Sequence, residues 1–362
     1  MRVKIVTYYV EGYFVKNLGD DLFLKVLLQE SQNNTYEIEV SKQYFDFYDA
    51  SFDIDVKKRG LVRSLASYVP YQFTRLFTNL IGFKYTGYIL LGGSMFIEKN
   101  TSLIMLNRRM LNTRMSQHSF VIGANFGPYV TDEFLEWYSA FFKGFKRVSW
   151  RDLNSYELFN GEHLNQVVLP DVVLGMDVAE YDDTNLGYDL INIMNMDRFD
   201  EDVKRLYQRF IMNQVFASIQ KKRSVHLVSI NEAEGDDAAA DFFKKEFFSE
   251  NSYVTVIKYE SLNAMISEFA HANQILATRF HAMILGWLFQ KPTFVIAYSE
   301  KTTQFIESWN PEQAFQEIQK EFYGPARYVT IGNDLVTRLS RVAKQHFSDA
   351  FLNTIDGESE DD

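Results

Sequence analysis

The 362-residue chain contains no cysteine, which excludes disulfides, thiolate metal sites and a cysteine nucleophile, and is what a reducing compartment permits. Long apolar runs are missing too. No stretch approaches a membrane span, and Met1-Arg2-Val3-Lys4-Ile5-Val6-Thr7 reads as the start of a strand, without an apolar leader or a small-residue cleavage site. The expectation is a soluble, unexported protein of the cytoplasm. Positive charge is in short supply: 37 Lys and Arg stand against 48 Asp and Glu, and the net charge of −11 argues against broad nucleic-acid binding. Part of that excess is the terminal Glu358-Ser359-Glu360-Asp361-Asp362, read as a solvated tail. Several chemical signatures are absent as well. Gly92-Gly93-Ser94 lacks the Gly-Lys-Ser/Thr of a nucleotide-binding P-loop, no nucleophile-elbow sequence supports a serine triad, and no His/Asp/Glu spacing suggests a metal, so neither metal nor cofactor is expected.

What is present is a parallel-sheet rhythm. Short apolar or β-branched runs at Val3 to Tyr9, Tyr36 to Val40, Tyr88 to Leu91, Phe120 to Ala124 and Arg147 to Trp150 alternate with helical stretches such as Asp132 to Phe145. The rhythm restarts with Leu190 to Met194, Val225 to Ile230, Val254 to Tyr259, Gln274 to Thr278 and Thr293 to Ala297, separated by helices such as Asp200 to Ile219 and Asp237 to Phe248. Two α/β domains follow, at residues 1–180 and 186–333, with the polar segment Glu180-Tyr181-Asp182-Asp183-Thr184-Asn185 as linker and the ligand cleft expected between them. A C-terminal helix (334–353) is expected to fold back over the first domain, ahead of the acidic tail (354–362).

The stretch Ala277-Thr278-Arg279-Phe280-His281-Ala282 joins a short strand to a helix. Arg279 and His281 thus fall where a strand's carboxyl end meets a helix N-terminus, the position at which open α/β sheets bind ligands and favour anions. Other polar groups fall at strand ends of the first domain. Asn17-Leu18-Gly19-Asp20 follows the first strand, and Gly19 there can let a backbone approach a ligand, although a capping turn explains the residues equally well. Gly92-Gly93-Ser94 ends a buried strand with main-chain N–H groups free to reach an anion. Gly123-Ala124-Asn125-Phe126-Gly127-Pro128 reads as a glycine turn; Arg151-Asp152 with Ser155, and Leu169-Pro170-Asp171, complete the set.

In this order, Asn17-x-Gly19-Asp20, Gly92-Gly93, Arg151-Asp152-x-x-Ser155, Leu169-Pro170-Asp171, Arg279-Phe280-His281-Ala282 and Tyr298-x-x-Lys301 resemble the polysaccharide pyruvyltransferase family, from the first strand to about Lys301. Two departures stand out: Ser94 replaces the third glycine of the family's loop, and the arginine common at the end of the second domain's first strand has an approximate counterpart in Arg198. The resemblance implies two facing, doubly wound parallel-sheet domains like those of glycosyltransferase-B enzymes, the first on the acceptor side and the second on the donor side. It implies transfer of a pyruvyl group from phosphoenolpyruvate to a sugar as a cyclic ketal. Arg279 and Arg151 would bind the donor's carboxylate and phosphate, with Lys301, Tyr298, Asn17, Gly19, Gly92, Gly93 and Ser94 as further substrate contacts. His281 would be the general acid, and Asp20 or Asp171 would orient the acceptor or take its proton.

Two other functions fit the same residues: a nucleotide-sugar glycosyltransferase on this fold, and a non-catalytic glycan- or anion-binding protein. The basic and aromatic stretch from Lys57-Lys58-Arg59 through Arg63, Tyr68, Tyr71 and Arg75 to Ile81 reads first as a core helix with a solvated basic face. Its alternative is a peripheral contact with the inner face of the cell membrane, where a lipid-linked glycan acceptor would be met.

Overall fold

The computed structural model describes residues 7–31, 34–59, 84–320 and 325–347. The chain divides into two compact units that are not consecutive blocks: one comprises Met1–Val15, Phe23–Gly175 and Val342–Asp362, the other Lys16–Leu22 and Met176–Arg341. Two excursions therefore cross the division, one near each end of the chain.

The first unit is built on a seven-stranded sheet whose paired strands all run parallel. In chain order its elements are β1 (Thr7–Glu11), α1 (Leu18–Glu30), β2 (Thr35–Val40), α2 (Phe45–Ser51), β3 (Asp55–Lys58), β4 (Tyr85–Leu91), α3 (Ser102–Arg114), β5 (Ser116–Ala124), α4 (Asp132–Phe142), β6 (Arg147–Trp150), α5 (Leu153–Leu158) and β7 (Gln166–Val168). The strand order is β3-β2-β1-β4-β5-β6-β7, with its topological switch between β1 and β4. The sequence dictates these elements locally. In α4, Thr131 accepts a hydrogen bond from the Phe134 N–H, Asp132 and Glu133 sit in the first turn, and Phe134, Tyr138, Phe141 and Phe142 bury one face. An aromatic cluster of Phe96, Phe126, Phe142, Trp150 and Phe159 fills the core under the ends of β4, β5 and β6, with Phe126 and Phe159 edge to face at 4.9 Å. Phe96 and Phe126 belong to the loops after β4 and β5, so packing fixes those loops.

The switch point of this sheet is filled by the protein itself. Glu11, at the end of β1 and buried, accepts hydrogen bonds from Arg108, Arg109, Asn112 and the Tyr88 hydroxyl, while Arg109 also reaches the Tyr138 hydroxyl and the Met95 carbonyl. Burial pushes the Glu11 carboxyl up, but Arg108 and Arg109 outweigh it and hold the group at about 2.

The second unit carries a six-stranded parallel sheet of order β10-β9-β8-β11-β12-β13. Its elements are β8 (Tyr188–Asn192), α6 (Glu201–Gln220), β9 (Ser224–Ser229), α7 (Asp236–Phe248), β10 (Val254–Lys258), α8 (Leu262–His271), β11 (Gln274–Ala277), α9 (Phe280–Leu288), β12 (Thr293–Ala297), α10 (Glu300–Trp309), β13 (Phe315–Glu317) and α11 (Asn333–Ala343). All five residues of β8 and of β12 are buried, as strands covered on both faces must be. Here the switch lies between β8 and β11.

The chain's last described residues return to the first unit. His346 lies in a 3-10 turn, Lys344–Phe347, at the end of α11, and its imidazole bonds the Ser149 hydroxyl and the Pro170 carbonyl. No helix among the described residues is long and apolar enough to cross a membrane. Lys57 and Lys58 lie on β3, an edge strand, where Lys57 pairs with Asp55 and Lys58 covers the Phe45 ring. The remainder of the basic and aromatic stretch, residues 60–83, lies outside the described residues, as does the acidic tail.

Candidate functional site

In the second unit the polar groups gather at the carboxyl ends of the strands, around the β8–β11 switch. β11 ends at Ala277, and Thr278 and Arg279 turn the chain into α9. The turn is held from β8, because the buried Asn192 side-chain oxygen accepts hydrogen bonds from the backbone N–H of Thr278 (3.3 Å) and of Arg279 (2.7 Å). Arg279 is 7% exposed. Its Nε and Nη2 form a fork on the fully buried Asp236, at 2.9 and 2.5 Å, and its Nη1 donates to Glu234 at 2.5 Å. Burial alone would lower the guanidinium's affinity for its proton; the two carboxylates more than reverse that.

Glu234 and Asp236 come from the loop after β9. Asn231 caps it by accepting the Glu234 N–H, and Gly235 closes it at φ +84°, a conformation that favours glycine. A Cβ on Gly235 would stand 2.7 Å from the Asn195 side-chain nitrogen. Burial raises the Glu234 carboxyl, but its charge and hydrogen-bond contacts with Arg279 and the charge of Arg198 prevail and lower it.

Arg198, on the exposed loop after β8, lies over the ring of Tyr298 at 4.9 Å and makes a weak hydrogen bond to the Met194 sulfur at 3.6 Å. Tyr298 follows β12, and Lys301 lies in the first turn of α10.

Asn17, Gly19 and Asp20 belong to this unit rather than to the first domain. Leu18 N–H donates to the Ile230 carbonyl, Lys16 pairs with Glu232, and the Tyr259 hydroxyl donates to the buried Asp21. Asn17 donates to the Asp20 carboxylate at 2.7 Å and accepts the Gly19 N–H at 3.2 Å. Gly19 lies directly against His281, at the start of α9. Asn17, Gly19, Asp20, Arg279, His281, Tyr298 and Lys301 are thus all at strand ends of one unit, joined by Arg198, Glu234 and Asp236.

The other sequence candidates form a separate group in the first unit. Arg151 is buried under Gly93, where a Cβ would lie 2.4 Å from the guanidinium carbon. Its Nη1 donates to Asp171 at 2.9 Å and its Nη2 to the Asn125 side-chain oxygen at 2.8 Å. Asp171 is fully buried and also accepts the Val173 N–H. Arg151 and Asp171 are thus held to each other inside the first unit, as deeply buried as Arg279 is in the second. In the rest of the Arg-Asp-x-x-Ser element, Asp152 caps α5 and bonds the Ser155 hydroxyl, and Ser155 accepts the Phe126 N–H. Above this strut Gly92 and Gly93 are buried and Ser94 is exposed.

Sequence reasoning missed Asn192, Asn231, Glu234 and Asp236. Two signals were available: a lone Asn closing the apolar run Leu190-Ile191-Asn192, and the cluster Asn231-Glu232-Ala233-Glu234-Gly235-Asp236 directly after a strand.

No curated protein matches the chain significantly. Among solved structures, UDP-GlcNAc 2-epimerase from Methanocaldococcus jannaschii superposes with a TM-score of 0.56 at 9% identity, over 94% of this chain and 98% of that one. S. aureus MnaA, solved with UDP, gives 0.55 at 8% identity over 97% and 94%. A glycosyltransferase from Rickettsia africae gives 0.49 at 11% identity over 98% and 96%. At such identities the epimerase likeness is one of fold, the paired α/β domains of the glycosyltransferase-B type. The family model for polysaccharide pyruvyl transferase matches residues 17–300, from the Asn17 turn to the start of α10, and the chain belongs to that family.

Proposed function

We propose that this protein transfers the pyruvyl group of phosphoenolpyruvate to two hydroxyls of a glycan sugar, forming a cyclic ketal in the biosynthesis of a cell-surface polysaccharide. The observation that carries the reading is the convergence of His281, Arg279 and Arg198 on the strand ends around the β8–β11 switch, where open α/β sheets take anionic ligands. Phosphoenolpyruvate brings a carboxylate and a phosphate. Arg198, exposed and stacked on Tyr298, meets one of them, and Arg279 presents its outer edge to the other, with Lys301 as a further cation.

His281 gives its proton to the methylene carbon, which becomes a methyl group and leaves the central carbon an oxocarbenium-like electrophile. One sugar hydroxyl adds there and releases its proton, inorganic phosphate departs, and the second hydroxyl closes the ring with loss of another proton. Asp20, partly exposed and oriented by Asn17, takes a hydroxyl proton in this reading; the buried Asp171 does not.

The test is thermal unfolding of the full chain with phosphoenolpyruvate and, separately, with nucleotide sugars, since a ligand that binds the native state alone raises the melting temperature. Phosphoenolpyruvate raises it for the native sequence and for His281→Gln and clearly less at the same concentration for Arg198→Ala, and His281→Gln releases no phosphate in the presence of acceptor. A rise with a nucleotide sugar alone overturns the donor and recasts the arginines as diphosphate ligands.

A further inference from the structure

Arg279 is over-supplied with carboxylates. One guanidinium carries one positive charge, and the fork on Asp236 already balances it. Asp236 is fully buried and also accepts the Asn195 N–H, so it is a fixed part of the core. Glu234 is a second anion on the remaining edge, with 43% of its side chain exposed, against 9% for Arg279 and none for Asp236. Its backbone cannot follow it out: Asn231 holds the Glu234 N–H, Asn195 donates to the Glu234 carbonyl, and Gly235 is locked in its left-handed turn. Of this group, the Glu234 side chain is therefore the part free to rotate away. Arg198, on the loop after β8 and stacked on Tyr298, adds a second positive charge to the surroundings of Glu234.

We propose that Glu234 is a resident stand-in for the donor's anion: it occupies the outer Nη1 of Arg279 in the empty site and is exchanged for the carboxylate or phosphate of the incoming ligand. The inference rests on the donor reading above and deepens it into a selection rule. A neutral ligand cannot displace Glu234, because Arg279 would lose a charge-assisted hydrogen bond and gain a weaker one. A ligand with two anionic groups displaces it by holding Arg279 with one and Arg198 with the other. Asp236 keeps the guanidinium in its fork throughout the exchange, so little reorganisation accompanies binding.

The experiment compares the full-length native protein with Glu234→Gln and Glu234→Ala by calorimetric titration at low salt, using phosphoenolpyruvate and, separately, inorganic phosphate. Unliganded melting temperatures confirm that both variants fold. Removing the competing charge tightens binding of phosphoenolpyruvate by about three- to ten-fold, the range between an exposed ion pair and a charged hydrogen bond. Glu234→Ala shows the same gain or a larger one. Unchanged or weaker anion binding in both variants, or no binding of either anion to them, overturns the exchange. If inorganic phosphate binds the variants more tightly while phosphoenolpyruvate binds no form, the exchange stands and the donor assignment falls.

Discussion

Gly19 and His281 are in such close apposition that a Cβ on Gly19 would lie 2.0 Å from the imidazole Nδ1. The first turn of α1 thus sets the position of the ring, and the smallest side chain is the one that leaves it there. Gly19→Ala must push the imidazole off its place. A displacement of about 1 Å in a group that delivers a proton lowers the rate on the order of 10²-fold. The expected outcome is a loss of that size in kcat for phosphate release from phosphoenolpyruvate, with donor affinity retained because Arg198 is untouched. The His281 ring resonances should shift in the variant; unchanged resonances together with unchanged kcat would exclude the coupling.

Much of this fold was legible. The strands inside each sheet, such as β5, β8 and β12, carry buried apolar stretches, and periodicity finds them. The strands that escaped, β3 and β13, are four and three residues long at sheet edges, and Asp55-Val56-Lys57-Lys58 shows how little apolar character an edge strand needs. The site was legible in part for a related reason. Arg279 and His281 announce themselves at a strand-to-helix junction, but nothing local says that Asn17-Leu18-Gly19-Asp20 packs beside residues some 260 positions later, since that contact is a product of tertiary folding. Nor does sequence show which carboxylate a guanidinium pairs with: Arg151 takes Asp171, 20 positions on, and Arg279 takes Asp236, 43 positions back.

The Arg151–Asp171 pair makes its own prediction. Asp171 accepts from Arg151 with both groups buried, and removing one partner takes a buried charge out of its ion pair. Asp171→Ala should destabilise the protein by about 3 kcal/mol, as broken buried ion pairs do, measured by urea denaturation. Gly93→Ala, which forces a methyl group onto the Arg151 guanidinium, should lower stability by about 1–3 kcal/mol through overpacking. With the donor placed on Arg198, Arg279 and His281 as proposed, neither change should alter the affinity of folded protein for phosphoenolpyruvate.

Stability should also depend on pH through His346. Burial pushes its imidazole down to about 4, against the upward pull of the Pro170 carbonyl and Asp171. The unfolded chain, with a pKa near 6.5 at this residue, binds the proton more readily than the folded one between those values. Stability is therefore complete above about pH 6.5 and declines as pH falls toward 4, by roughly 3 kcal/mol in all from this group. Glu11, held at about 2, adds its own loss only below its ordinary range near 4.5, so the interval from pH 5 to 6.5 isolates the histidine. Urea titrations at pH 5.0, 6.0 and 7.0 should show this slope in the native sequence and its flattening in His346→Gln.

Arg198 and Arg279 carry the same charge in opposite circumstances, and their removal should separate binding from folding. Arg198 is exposed and rests on aromatic faces and a sulfur, so Arg198→Ala should leave unfolding free energy within about 0.5 kcal/mol of the native value. The same variant should weaken phosphoenolpyruvate by roughly ten-fold or more, as loss of a charged hydrogen bond does. Arg279→Ala leaves Asp236 charged and buried without its fork, and should reduce stability by about 3–5 kcal/mol before any question of binding arises. Urea denaturation and calorimetric titration on both variants test the contrast. Equal destabilisation would place Arg198 in the scaffold, and the donor's second anion would then need another cation, for which Lys301 in the first turn of α10 is the next candidate.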